Sequence, residues 1–249
     1  MKFGMNVSQH KIVDTGEFIA ACSKAGIKHT RIMLDFDRPA TELVGVLAKF
    51  GMKSCFGLVE FDQRVFKPDW NRIVDKYTFI CNHIPTHLSL GILLPVGIDN
   101  VVMMTRKEKV QWMNKLSEII HKSGHKVVMP TTMKEFRGNN WEAVNFDILD
   151  IDGFYSPGHA SLNADKERLK TSKHPYWIGR SGIPGGYNSV ASRIQALRMA
   201  ANFGEYATHI FMWSDRLAAR FHWSTRGAFN VDFSSGIGRK VATSQLGVE

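Results

Sequence analysis

Four carboxylates, Asp35, Asp37, Glu60 and Asp62, stand in two short stretches, LDFD and VEFD, each at the end of an apolar run. Carboxyl groups held in different environments can divide into a proton donor and a proton acceptor, the pair that general acid–base catalysis needs. Asp35 and Glu60 are the candidate catalytic residues on this ground. The competing reading makes Asp37 and Asp62 caps of the helices that follow them and pairs Asp35 with an arginine.

A second group is cationic and aromatic. The stretch KHPYWIGRSGIPGG carries Arg180 just past a short apolar run. An arginine fork binds carboxylate or phosphate through two parallel hydrogen bonds, so Arg180 can serve an anionic ligand, or it can form a structural salt bridge with Asp35 or Asp215. Arg31, in HTRIMLDF, is expected near it. Two arginines so close repel, and one of them should be held by Asp35 or Asp215. His159, in SPGHAS, can shuttle a proton or be an ordinary loop histidine. Tyr155, Trp213 and Trp223 offer ring faces, whereas Trp177 reads as core.

These residues need elements to place them, and the chain supplies a regular alternation. Strand-like segments at 2–8, 28–35, 53–60, 87–94, 125–131, 152–156, 174–179 and 207–213 are separated by segments with helical spacing. The clearest helix is RKEKVQWMNKLSEIIHKSG, with Val110, Met113, Leu116, Ile119 and Ile120 on one stripe and Gly124 after its end. A short helix is expected over NNWEAVNFDIL, and further ones over SLNADKERLKTS and SVASRIQALRMAANFG. Eight such cycles predict an α/β protein with a single (β/α)8 TIM barrel, one domain spanning 1–249. In that fold the candidate site residues above, Trp177 apart, fall at a C-terminal strand end or in the loop after it, the face where barrels do their chemistry. A doubly wound nucleotide-binding sheet is disfavoured, because no glycine-rich phosphate loop follows the first strand.

Composition narrows the classes further. A hydrophobic fraction of 44% with 22% charged residues is that of a globular protein with a sizeable core. Three widely spaced cysteines, Cys22, Cys55 and Cys81, show no zinc or disulfide pattern and are expected to be reduced and buried. The net charge of +9 admits a nucleic acid, an acidic glycan or an acidic protein surface. The basic residues are scattered, and the densest run, TRKEKVQW, is diluted by Glu108, which argues against nucleic acid. The first residues lack a signal-peptide core and no run reaches membrane-span length, so a soluble protein is expected, cytoplasmic or part of a larger assembly.

Three stretches carry a family resemblance. KAGIKHTRIMLDF resembles the helix leading into an arginine-bearing second strand, YWIGRSGIP resembles a nucleophile strand, and HIFMWSDRLAARFHWSTRGAFNVD resembles an eighth strand with its tryptophan and returning loop. Together they resemble the retaining glycoside hydrolases built on (β/α)8 barrels. The resemblance implies a carbohydrate ligand, with Arg31, Tyr155, His159, Arg180, Trp213 and Asp215 as its binding residues and the aromatic rings stacking on sugar faces. It also marks a departure. Those enzymes end strand four with Asn-Glu and strand seven with Glu, an acid/base and a nucleophile about 5 Å apart. Here the matching positions are Leu93-Leu94 and Arg180. Two hypotheses follow: a non-catalytic or diverged barrel used for glycan binding or as a structural module, or an active hydrolase with displaced carboxylates, Asp35 and Glu60. The opening MKFGMN also resembles metal-dependent sugar isomerases and endonucleases. Glu60, Asp99 and His159 are too few ligands for such a centre, so no metal and no cofactor are expected.

Overall fold

The computed structural model describes residues 2–8, 15–24, 26–34, 40–61, 64–132, 135, 141–154, 167–182 and 207–212. Its eight strands are β1 (Lys2–Ser8), β2 (His29–Met33), β3 (Lys53–Gly57), β4 (Ser89–Leu93), β5 (Val127–Thr132), β6 (Ile148–Phe154), β7 (Tyr176–Gly182) and β8 (His209–Met212). They are parallel and lie in chain order, and β1 closes the barrel by pairing with β8 as well as β2. The described long helices are α1 (Thr15–Lys24), α2 (Thr41–Lys49), α3 (Trp70–His83) and α4 (Arg106–Lys122). The (β/α)8 reading of the sequence holds.

Local chemistry explains the helix boundaries. The Asp69 side chain accepts from the Arg72 amide to open α3. Thr105 and Glu108 form a reciprocal capping box at the start of α4. That helix ends in Gly124, whose φ of 77° is the left-handed conformation glycine adopts without strain. Met113, Leu116 and Ile120 on its stripe are fully buried, while Val110 and Ile119 are partly buried.

Strand alternation sorts the core into two clusters. Ile32, Phe56, Ile92, Leu149, Ile151 and Ile178 face the helices and pack with residues such as Leu47, Tyr77 and Leu116. Met33, Cys55, Leu93, Val128, Trp177 and Phe211 fill the barrel interior. Trp177 is therefore core, at 2% exposure. All three cysteines are free and buried. Burial raises the Cys22 and Cys55 thiols above their ordinary range, with the Asp150 charge adding to the effect at Cys55. Among the described residues no helix is long and apolar enough to cross a membrane.

One element differs from expectation. The helix predicted over NNWEAVNFDIL is absent where described: Trp141–Ala143 forms a turn, and β6 starts at Ile148, four residues before the predicted strand. The reason is visible in ILDIDGF. Leu149 and Ile151 face the helices while Ile148 faces the interior, a period of two that the helical reading overlooked. The helix predicted over SVASRIQALRMAANFG lies outside the described residues, as do Asp35, Asp37, Asp62, Tyr155, His159, Trp213, Asp215 and Trp223.

Candidate functional site: a buried ion pair beneath an acidic rim

Arg31 sits at the third position of β2 and is fully buried. Its Nε and Nη2 donate to Asp150 Oδ2 at 3.1 and 2.9 Å, and its Nη1 donates to Asn6 Oδ1 at 3.1 Å. Asn6 in turn donates to the Gly179 carbonyl at 2.5 Å and the Phe211 carbonyl at 3.3 Å. The network thus joins β1, β2, β6, β7 and β8 across the barrel. Paired charges with further hydrogen bonds are the form in which an arginine tolerates complete removal from water. Arg31 was expected at the mouth with Asp35 or Asp215. The described carboxylate that engages it is Asp150, inside the barrel, which sequence reasoning missed.

Strand β7 accommodates this carboxylate by omitting a side chain. A Cβ at Gly179 would overlap both carboxylate oxygens of Asp150. The register also shifts here: Ile178 pairs with Ile151, but Asp152 pairs with Arg180, so Gly179 is the extra residue of a bulge. Arg180 therefore lies in the C-terminal half of β7, opposite Asp152 of β6. The glycine that allows close approach and the arginine of the sequence motif are adjacent.

At the end of β4, Leu93 and Leu94 are both fully buried. Leu93 points into the barrel cluster, and its carbonyl accepts from the Tyr77 hydroxyl at 2.6 Å. Leu94 packs in the other cluster, on the helix side. Of the two leucines, Leu93 is the one packed in the interior cluster.

The rim above carries carboxylates. Glu60 is exposed, and its backbone bridges to Val96 in a short extension of the β3–β4 pairing. Glu135 follows β5. Its Oε2 accepts from the Thr132 amide at 2.6 Å and from the Thr131 hydroxyl at 3.4 Å, while its own amide donates to Thr132 Oγ1 at 3.3 Å. Burial, together with a hydrogen bond to the neighbouring Asp99 carboxyl and its charge, raises the Glu135 carboxyl to about 7, although the Thr132 contacts oppose this. Asp99 lies near the Lys109 ammonium, 3.9 Å away. A carboxyl that titrates near neutrality beside a second carboxyl is the arrangement used for proton transfer. Sequence reasoning placed Asp99 at the rim after the fourth strand, weighed it as a metal ligand, and passed over Glu135. The available signal was TTMKE after the fifth strand, a threonine followed three residues later by glutamate.

No family model matches the chain, and no curated protein matches it in sequence. Solved structures do match in fold. The chain is similar to an active-site mutant of a β-1,3-glucanosyltransferase from Rhizomucor miehei in complex with laminaritriose, at 13% identity over 86% of each chain with a TM-score of 0.65. It is similar to Thermotoga maritima Cel5A, a mutant form in complex with cellobiose, at 15% identity over 85% of this chain and 87% of that one, TM-score 0.66. It is also similar to β-glucuronidase 2 of Bacteroides uniformis, covalently bound to cyclophellitol-6-carboxylate aziridine, at 12% identity over 86% of this chain and 30% of that longer one, TM-score 0.62. The chain therefore shares its (β/α)8-barrel fold with these structures.

Proposed function

We propose that this protein is a glycoside-hydrolase-like barrel that binds carbohydrate at its C-terminal mouth and does not carry out the usual retaining hydrolysis. The observation that supports this is the end of β4, where Leu93 and Leu94 are buried in two apolar clusters. Neither can donate a proton to a leaving group, and a retaining mechanism needs that donor opposite a nucleophile. Asp150 does not supply the missing nucleophile in this reading, because Arg31 and full burial commit it to the interior.

The ligand is a glycan, with a carboxylated sugar as the favoured class. Arg180, opposite Asp152 in β7, is the proposed anion-binding residue, and the net charge of +9 attracts such a ligand. The neighbours named above are consistent with it, since they hold glucan oligosaccharides and a carboxylate-bearing inhibitor. Tyr155, His159, Trp213 and Asp215 complete the proposed binding set. Arg180→Ala tests the reading through thermal melting and glycan-array binding in parallel. Lost binding to acidic glycans at unchanged stability supports it; lost stability with unchanged binding makes Arg180 a structural ion-pair residue.

A second reading, hydrolysis by displaced carboxylates, has one specific observation in its favour. Glu135 beside Asp99 has the perturbed carboxyl expected of a general acid, in addition to the sequence candidates Asp35 and Glu60. Turnover that disappears in Glu135→Gln or Glu60→Gln would favour it.

A further inference from the structure

The opposite mouth of the barrel, formed by the strand starts, holds a cavity of about 470 Å³. In (β/α)8 barrels this end ordinarily serves stability. Here its lining, part apolar, includes polar and basic residues: Lys53 at the start of β3, Ser89 at the start of β4, His125 and Lys126 before β5, and His209 at the start of β8, with Trp177 alongside. No carboxylate is among the lining residues, and among the described residues neither Lys53 nor Lys126 forms an ion pair.

Two lining groups are built in without partners. His209 is only 8% exposed, and its Nε2 has no hydrogen-bond partner, although Nδ1 lies 3.3 Å from the Thr208 hydroxyl. The Ser89 hydroxyl is likewise buried and unpaired. Buried polar atoms are nearly always satisfied, because leaving one unpaired forfeits its hydration with nothing in return. Both residues belong to the lining of a cavity large enough for a small molecule, as do Lys53 and Lys126.

We propose that this cavity binds a small phosphate-bearing molecule, with Lys53 and Lys126 holding the anion, Ser89 and His209 hydrogen-bonding it, and Trp177 walling its organic part. A phosphate oxygen accepts from ammonium and hydroxyl groups, and from the His209 Nε2–H of the tautomer whose Nδ1 accepts from the Thr208 hydroxyl. The electrostatics agree. Burial, followed by the Lys2 and Lys53 charges, lowers His29 to about 4, and burial, followed by His29 and Lys2, lowers His209 to about 3. The two rings stand edge-on with centroids 5.0 Å apart. The lysine charges that add to burial in lowering these rings are what a bound anion would offset.

The site is independent of the carbohydrate reading, and its test is separate. The full chain is titrated calorimetrically at constant ionic strength with inorganic phosphate, glucose 6-phosphate and glucose. Saturable one-to-one binding of the phosphates but not of glucose is expected, with the organic phosphate tighter if Trp177 contributes. Lys53→Met/Lys126→Met changes two exposed side chains and should weaken binding by about tenfold or more. In parallel, the His209 imidazole nitrogen resonance should move on saturation and its titration midpoint should rise. Absence of saturable binding at millimolar phosphate, equal binding by the double variant, or an unmoved His209 resonance overturns the proposal.

Discussion

Arg31 and Asp150 meet in the middle of the barrel from strands that stand four apart around an eight-stranded ring, joined by two charge-assisted hydrogen bonds of 3.1 and 2.9 Å. The pair behaves as a cross-brace whose parts are costly separately. Asp150→Ala leaves the guanidinium buried without its carboxylate, and a loss of about 3–5 kcal/mol in chemical denaturation is expected. Arg31→Met/Asp150→Leu removes both charges together, and it should recover most of that loss. A double variant as unstable as Asp150→Ala would mean that the charges themselves are needed.

Gly179 is the second half of that relationship. Because a methyl group there would overlap the Asp150 carboxylate, Gly179→Ala must displace either the strand or the ion pair. Overpacking of a tight interior costs about 1–3 kcal/mol, and equilibrium unfolding should show a loss in this range or above it. Combining Gly179→Ala with Asp150→Ala should cost less than the sum of the two, since the second change removes the obstacle.

The architecture was legible because each of its signals is local. Asp69 and Gly124 mark helix ends through a side chain and through backbone freedom, and the apolar stripe of α4 repeats over five residues. Asp150 was not legible for the opposite reason. Its role depends on Arg31, 119 residues away in sequence, and reading NNWEAVNFDIL as a helix left it in a connecting segment. Arg31 was paired with Arg180 as two arginines of which one should be held by a carboxylate, but nothing in one sequence says which of many acids will face it across a barrel. Glu135 was hidden in a different way: its capping geometry is local, whereas the burial and the Asp99 carboxyl that alter its acidity come from the fold.

The Glu135 carboxyl makes a pH-dependent contribution to stability. Its folded-state value, raised to about 7, exceeds the ordinary carboxylate value, so the folded protein binds the extra proton between the two. That stabilisation is complete at a pH below the ordinary value of about 4.5 and is lost as pH rises through about 7. Glu135→Gln keeps an acceptor for the Thr132 amide and removes the titration. Melting curves from pH 4 to 8 should therefore fall with pH more steeply for the wild type than for Glu135→Gln. Parallel curves would show that Glu135 is an ordinary capping residue.

The central claim is that sugar is bound at this barrel mouth but its glycosidic bond is not cut by the usual route. The most direct measurement titrates the protein with neutral glucan and uronic-acid oligosaccharides by calorimetry, then assays the same mixtures for newly formed reducing ends. Saturable binding, strongest for the acidic sugars and without reducing-end release, is the predicted result. Release of reducing ends by the wild type that disappears in Glu135→Gln or Glu60→Gln, or no binding of any oligosaccharide, would contradict the account.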